Sequence, residues 1–292
     1  YAYETQVEEN LYNRKMYWPR GRGWGGSSSI NGMIYIRGHA NDYDHWGQLG
    51  NIGWSYDDVL PYFKKSESFQ GENSSKYHGF DGPLSVKRAK RTDDLLLDKF
   101  IEAGSQAGHP STNDFNGKQQ EGVSRYEHTM KGSKRCSASK AYLRPALKRK
   151  NLITKLNITV NKVIFDGKKA IGIEYLKKGE KISSFANKEI ILSSGSLSSP
   201  MILMRSGIGD PKELTKFGIK TINKLEGVGK NLQDHIAIST QFESLKPVTL
   251  HRSASKLRMG LSGLQYLLLK KGDAANPPCG AGAFLKSNSD KD

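Results

Sequence analysis

The segment Trp18–Asp44 constrains the fold of this 292-residue chain most, because it places six glycines and three consecutive serines between a Trp-Pro pair and an aromatic run. Glycine has no Cβ and permits positive φ, so Gly25 and Gly26 let main-chain N–H groups approach a phosphate or a ring edge. The serines 27–29 suit the cap of a helix beginning at Ile30, whose positive end would face an anion. The segment therefore predicts a main-chain surface that binds a large planar cofactor closely. A glycine-rich surface turn is the alternative.

The composition is that of a globular protein. With 36% hydrophobic and 9% aromatic residues, the chain can bury the core of one large or two ordinary domains. The longest nearly apolar run, Leu261–Leu269, falls well short of the roughly 20 residues that span a bilayer, so no membrane span is predicted. Cys136 and Cys279 exclude a disulfide framework and a multi-cysteine metal site. Two free thiols are expected, although a single bridge is possible.

The formal net charge of +16 is the compositional outlier. Such a balance is typical of proteins that bind nucleic acid or anionic surfaces. The basic residues occur in short runs, such as 87–91 and 148–150, without interleaved aromatic residues or a recognisable nucleic-acid-binding module. We therefore predict no nucleic-acid partner. A basic polyanion-binding protein stays an alternative, which salt-sensitive retention on a polyanion would reveal.

Helix and strand signals alternate along the chain. Capping residues and apolar spacing predict helices at 55–68, 92–107, 199–206, 212–217 and 257–269. In the second helix, Leu95, Leu96, Phe100 and Ile101 are expected on the packed face. Strands are predicted at 153–164, 170–175, 182–186 and 189–192, and the residues from Asn276 onward are expected to form a loop. The last strand passes into Gly195, and a buried strand followed by glycine and a helix is a phosphate-binding arrangement.

Two blocks of the chain carry a family resemblance. The stretch Gly21–Asp44 resembles, at every defined position, the first signature of the glucose-methanol-choline (GMC) flavoprotein oxidoreductases, and GSLSSPMILMRSGIG at Gly195–Gly209 resembles the second. Further family-like phrases are YHGFDGPL at 77–84, RCSASKAYLRPA at 135–146 and GVGKNLQDH at 227–235. The similarity covers nearly the whole chain. Within the family, the sequence of these phrases resembles the insect glucose dehydrogenase branch most.

The resemblance implies an α/β (α+β) fold, in which a Rossmann-like FAD-binding domain is interleaved with a substrate domain built on an antiparallel sheet. Residues 1–62 and 150–235 would form the two parts of the FAD-binding domain. Residues 63–149 would form a substrate or lid segment, and residues 236–292 an incomplete substrate-binding domain. No long linker separates two halves of the chain, as interleaving requires.

The resemblance also implies which residues contact FAD. One group of positions matches the family segment that lies along the ribityl chain, pyrophosphate and ring of FAD, or belongs to the glycine-rich segment. These positions are Arg22, Gly25, Gly26, Ser27, Asn31, Gly32, Met33 and Ile34. Val160 matches a main-chain contact to the adenine, and Gly195 and Ser196 match the turn that approaches the dinucleotide. Each has a structural alternative, such as a solvated arginine, a helix-start asparagine or a core valine.

The implied activity is FAD-dependent oxidation of an alcohol or sugar by hydride transfer to flavin N5. The implied partners are a small-molecule alcohol and an electron acceptor, either oxygen or a quinone-like compound. A non-catalytic structural or carrier relative is the alternative. The seven histidines lack metal-ligand spacing, so no metal is predicted. The localisation stays open, and the resemblance is compatible with secretion.

The chain is expected to be an internal piece of a longer enzyme, truncated at both ends. No G-x-G-x-x-G motif stands between an opening strand and a helix with a later acidic residue, and nothing matches the family's closing region with its histidine base. A positioned base contributes roughly 10²–10⁴ in rate, so the piece itself is expected to be nearly inactive. No catalytic residue is assigned.

Overall fold

The structure, a computed structural model, describes residues 1–71, 75–88, 95–246, 248–249, 254–277 and 279–288. The chain forms two compact units: the first comprises Tyr1–Leu152 and Phe242–Asp292, and the second comprises Ile153–Gln241. Both contain helices and strands, which confirms the mixed α/β fold predicted from the sequence. The assignment of chain segments to flavin and substrate domains stays a prediction.

Seven α-helices lie in the described part of the chain: α1 (Ala40–Gln48), α2 (Tyr56–Ser66), α3 (Leu95–Gln106), α4 (Arg144–Ala146), α5 (Gly195–Arg205), α6 (Pro211–Lys216) and α7 (Lys256–Leu269). Helix α2 has the predicted cap at Ser55, whose main-chain N–H and hydroxyl both donate to Asp58. Helix α7, the longest described, has 14 residues, and no described helix is long and apolar enough to cross a membrane.

The strands are β1 (Ala2–Glu4), β2 (Tyr17–Pro19), β3 (Ile34–Tyr35), β4 (Glu67–Phe69), β5 (Leu84–Arg88), β6 (Gly122–Arg125), β7 (Glu127–His128), β8 (Met130–Lys131), β9 (Lys134–Arg135), β10 (Ile158–Asp166), β11 (Lys169–Lys177), β12 (Glu180–Phe185), β13 (Ile208–Gly209), β14 (Asn223–Lys224) and β15 (Ala281–Phe284). In the first unit, a four-stranded sheet has the order β3-β7-β5-β4, and only the β4–β5 pair is parallel. Strand β15 pairs with β6, so the prediction of a loop after Asn276 is wrong there.

The packed face of α3 differs from the predicted one. Leu95, Leu96 and Phe100 are exposed, whereas Ile101, which was also predicted on this face, and Gly104 are half-buried. A Cβ added at Gly104 would stand 2.6 Å from a Val123 methyl group, so this glycine allows the helix to approach strand β6 closely. The predicted cap, Thr92, lies outside the described residues. The apolar spacing therefore predicts the helix and one residue of its packed face, Ile101, but not the other three, because the close contact is made at a glycine.

Each unit has its own core. Buried side chains of the first unit include Val86, Phe115, Val123 and Met130. The core of the second unit contains Val163, Tyr175, Ile202 and Leu214. Cys136 is buried, Cys279 is exposed and both are free thiols, as expected.

The second unit is built on the antiparallel sheet β10-β11-β12. Helix α5 packs against β10, and the Ser206 hydroxyl just after the helix accepts the Val163 N–H at 2.8 Å. The strand predicted at 189–192 is wrong, since these residues form no strand and Ile191 is 76% exposed. An apolar sequence forms a strand only where a neighbour pairs with its N–H and C=O groups.

Candidate functional site

The glycine-serine segment folds back on itself as a compact turn. A Cβ added at Gly21 would stand 2.1 Å from the carbonyl oxygen of Gly26, and the Gly21 N–H donates to Ser27 Oγ at 3.1 Å. Gly25 adopts φ +91°, and a Cβ there would stand 2.5 Å from Ser29 Oγ. The turn itself therefore requires glycine at both positions.

The helix predicted to begin at Ile30 is wrong. Gly26–Ser29 form a single 3-10 turn, and the chain continues into strand β3. Met33 adopts φ +65°, a left-handed conformation that interrupts any helix at this point. The glycines at 21, 23 and 26 do have G-x-G-x-x-G spacing, but they connect a three-residue antiparallel strand to this 3-10 turn. They therefore differ from the strand-to-helix loop that binds dinucleotides in Rossmann folds.

The predicted FAD positions in this segment form one continuous surface stretch of the first unit. Ser27, Asn31, Gly32 and Ile34 are exposed, while Gly25, Gly26 and Met33 are half-buried. At Gly23 and Gly26 an added Cβ would meet no atom within 4 Å, so the main chain borders open space. A turn with positive φ and an open main-chain border fits a phosphate or a flavin edge. The residues present are therefore compatible with the implied cofactor.

Arg22 is exposed at the edge of this stretch. Its guanidinium lies over the Tyr1 ring, 5.4 Å from the ring centroid. A guanidinium over an aromatic face keeps its charge and can still donate hydrogen bonds to an anion. Its assignment to the pyrophosphate stays a prediction.

Residues about a hundred positions further along the chain hold the turn in place. Arg135 Nη1 donates to Asn31 Oδ1 at 2.7 Å and to the Ser28 carbonyl at 3.2 Å. The Ala138 N–H donates to Ser28 Oγ at 2.9 Å, and the Met33 N–H donates to Asn31 Oδ1 at 3.2 Å. The Asn31 oxygen therefore has structural partners, and its amide N–H groups are the part suited to a ligand.

The remaining predicted positions lie in the second unit. Val160 is a half-buried residue of β10, which is an edge strand of its sheet, and a register shift follows it before Lys162. On an edge strand, alternate main-chain groups point away from the neighbouring strand, as an adenine contact requires. Gly195, with φ +88°, and Ser196 are the exposed first residues of α5. Their cofactor roles stay predictions.

The first unit also contains a buried ionic cluster, which we call the His78 network. Glu67, which is fully buried, accepts a hydrogen bond from Arg37 Nη2 at 2.6 Å. His78 lies between two carboxylates, with Nδ1 3.0 Å from Glu67 Oε2 and Nε2 2.9 Å from Asp114 Oδ2. Asn116, also buried, joins the network through Asp114 and Arg37. Four distant chain segments therefore meet in one set of charged side chains.

Opposing effects set the protonation of this cluster. Burial alone lowers the pKa of His78, but hydrogen bonds and charge attraction from Asp114 and Glu67 outweigh it and raise the pKa from 6.5 to about 9. Burial tends to raise the pKa of Asp114, and His78 reverses this, so that the net shift is downward. The geometry therefore favours an imidazolium between two carboxylates at neutral pH.

A cleft of about 180 Å³ adjoins the network and is lined in part by Arg37, Tyr56, Tyr77 and Gln120. Pockets for drug-sized ligands typically measure roughly 300–1,000 Å³, so this cleft is too small for a dinucleotide. The described residues contain no group of three or more potential metal ligands. This cleft therefore does not fit the implied cofactor, whose place at the glycine-serine turn stays a prediction.

The sequence alone does not identify the residues of the His78 network or Arg135 as functional. Two of them lie within family-like phrases: His78 in YHGFDGPL and Arg135 in RCSASKAYLRPA. Glu67 and Asp114 have no local signal, since an acidic residue in an ordinary sequence is most often solvated. Only the fold identifies them as buried partners.

Comparisons with known proteins agree with the family resemblance. The family model described as GMC oxidoreductase matches residues 6–237. Human mitochondrial choline dehydrogenase is 46% identical over 287 residues, which cover 98% of this chain and 48% of that protein. The oxygen-dependent choline dehydrogenase of Brucella anthropi is 41% identical over 290 residues, 99% of this chain and 52% of that protein. The chain thus spans about half the length of the curated relatives it matches.

A solved structure supports the fold. An FAD-dependent oxidoreductase from Chaetomium thermophilum superposes with a TM-score of 0.84 at 29% identity, over 96% of this chain and 51% of that one. The curated relatives named above are choline dehydrogenases, so the placement in the insect glucose dehydrogenase branch stays a prediction.

Proposed function

The chain belongs to the GMC oxidoreductase family, and on that premise we propose that it binds FAD and serves in the oxidation of a CH–OH group of a small molecule. The observation that carries the proposal is the glycine-serine turn, which has an open main-chain border at Gly23 and Gly26 and is braced by Arg135. Because the curated relatives include choline dehydrogenases, choline is the first substrate to test, followed by other alcohols and sugars.

In this proposal the chain binds and orients the cofactor. When bound, FAD would supply the hydride acceptor for the carbon that is oxidised. Gly25, Gly26 and Ser27 would offer main-chain N–H groups to its phosphates or ring edge, and Asn31 would donate through its side-chain amide. Arg22 would balance phosphate charge at the edge of the site.

The remaining predicted positions would contact other parts of the cofactor. Gly32, Met33 and Ile34 would line the flavin. Val160 would contact the adenine through its main chain, and Gly195 and Ser196 would form the turn that approaches the dinucleotide. No residue of this chain is assigned the role of catalytic base. The electron acceptor would be oxygen or a quinone-like compound, and the relative from Brucella anthropi is named as oxygen-dependent.

Two glycine variants test the cofactor assignment. Gly26 and Gly53 both have positive φ and open space around the added Cβ, so valine strains the backbone at either site. We expect Gly26→Val to weaken FAD binding by at least about tenfold, equivalent to about 1.4 kcal/mol, and Gly53→Val to leave it unchanged. Flavin fluorescence quenching measures the affinity.

Spectroscopy then tests the reaction class. The purified protein should carry or take up flavin with its visible absorption bands, and anaerobic addition of choline or another alcohol should bleach them. A protein that takes up no FAD would contradict the proposal and favour a structural or carrier role. Equal loss of affinity in both valine variants would show that strain alone, rather than contact at Gly26, weakens binding.

A further inference from the structure

His78 joins separate chain segments inside the first unit. Its ring stacks on Phe69 at a centroid distance of 3.8 Å, and its two nitrogens lie 3.0 Å from Glu67 and 2.9 Å from Asp114. The His78 side chain has no exposed surface. Removing this imidazolium would leave the carboxylates of Glu67 and Asp114 without the cation that lies between them.

The Glu67 side of this bridge leads to Arg37, two residues after strand β3. Glu67 accepts from the guanidinium of Arg37 at 2.6 Å, and a second nitrogen of that guanidinium donates to the Tyr77 carbonyl at 2.7 Å. The guanidinium also lies over the Phe63 ring, 5.2 Å from its centroid. The Arg37 side chain is therefore fixed from several directions.

The Asp114 side leads to the main chain of the same segment. Asp114 Oδ1 accepts the Asn116 N–H at 2.9 Å. Asn116 Oδ1 accepts the Arg37 N–H at 2.8 Å, and its amide donates to the Tyr35 carbonyl at 3.0 Å. Both arms of the bridge thus end on Tyr35–Arg37, immediately after Ile34, the last residue of the predicted flavin stretch.

We propose that His78 is a positioning residue, whose imidazolium bridges Glu67 and Asp114 and thereby holds Ile34–Arg37 in the conformation that receives the flavin. The inference rests on the proposed function for its cofactor, but the ordering of the segment can be measured without one. His78 itself need not touch FAD.

The surrounding charges give the proposal a pH dependence. The charged groups that face the bridge are Glu67 from β4, Asp114 from the loop before β6, and Arg37 from the residues after β3. The folded-state pKa of His78 is raised to about 9 from 6.5. Its contribution is therefore fully present below pH 6.5 and is lost as the pH rises through about 9.

The test compares His78→Gln with His109→Gln, a matched change at an exposed histidine. In flavin-free protein, hydrogen exchange of the 34–37 amides should be at least about tenfold faster in His78→Gln and unchanged in the control. FAD affinity should fall by about the same factor at pH 7. The wild-type affinity should fall toward that of the variant as the pH passes about 9, while the affinity of the variant should stay flat.

The outcomes separate the two proposals. Faster exchange at 34–37 in a protein that binds no FAD would support the positioning role and contradict the proposed function. A lowered melting temperature with unchanged exchange and unchanged affinity would overturn the positioning role and leave His78 a structural residue.

Should His78→Gln fail to fold by circular dichroism, two further measurements decide. The double variant with Asp114→Asn removes both charges, allows a neutral amide pair and is expected to fold with fast exchange at 34–37. In the wild type, exchange corrected for its intrinsic pH dependence should accelerate in this segment as the pH passes about 9. Constant corrected exchange would overturn the proposal.

Discussion

The glycine-serine turn and the His78 network flank the same stretch of the first unit, yet different physical effects stabilise them. The turn is a surface feature made of main-chain groups and positive-φ glycines, with one arginine brace. The network is made of charged side chains from distant segments and is buried except at Asp114, which is partly exposed. Loss of a contact at the surface is partly compensated by water, whereas an unpaired charge in the interior is not. We therefore expect changes in the turn to affect ligand binding more than stability, and changes in the network to affect stability strongly.

The largest effect is expected when the network loses its central carboxylate. Glu67→Gln leaves Arg37 and His78 as buried cations without their shared partner, and we expect the free energy of unfolding to fall by about 3–5 kcal/mol in urea titration. The control, Glu213→Gln, breaks an exposed pair with Lys216 and should change it by less than about 0.5 kcal/mol. A similar small change in both variants would remove the distinction between network and surface.

An intermediate effect is expected at the brace of the turn. Arg135→Ala removes the hydrogen bonds to Asn31 Oδ1 and the Ser28 carbonyl, and we expect FAD affinity to weaken about tenfold with a loss of stability of about 1–2 kcal/mol. Fluorescence titration and urea unfolding measure the two quantities, with the exposed Arg149→Ala as the control. If stability fell as far as in Glu67→Gln while affinity stayed constant, the brace would belong with the network rather than with the binding surface.

The smallest effect is expected within the turn. Met33 has φ +65°, which is unfavourable for a side chain with a Cβ, so Met33→Gly relieves local strain while adding freedom to the unfolded chain. The two effects largely cancel, and we expect the free energy of unfolding to change by less than about 1 kcal/mol. Met33→Val, which is β-branched, should instead destabilise the protein. Equal stability of the glycine and valine variants would mean that the left-handed conformation is absent in solution.

Local sequence was sufficient where local effects decide the structure. The glycines of the turn, the start of α2 at Ser55 and the span of α7 were all predicted, because positive φ, end-capping and apolar spacing act over a few residues. The family resemblance was likewise contained in contiguous phrases, and the comparisons confirm it.

Prediction failed where the outcome depends on a distant partner. The serines 27–29 suit a helix cap, but the conformation of Met33 and the pairing of β3 with β7 give a strand instead. Residues 189–192 have a strand-like sequence but form no strand. Three of the four residues predicted on the packed face of α3 are exposed, because Gly104 rather than the larger side chains sets the packing distance.

By itself, the sequence determined the family, the glycine-serine turn and most helices, since these depend on residues close together along the chain. Only the tertiary structure decided that Arg135 braces this turn and that His78 lies between Glu67 and Asp114. The reason is physical: the charge state of a buried ionic group, and its contribution to stability, depend on which partners are brought within about 3 Å and on the exclusion of water. The spacing of the residues along the chain predicts neither the close partners nor the exclusion of water.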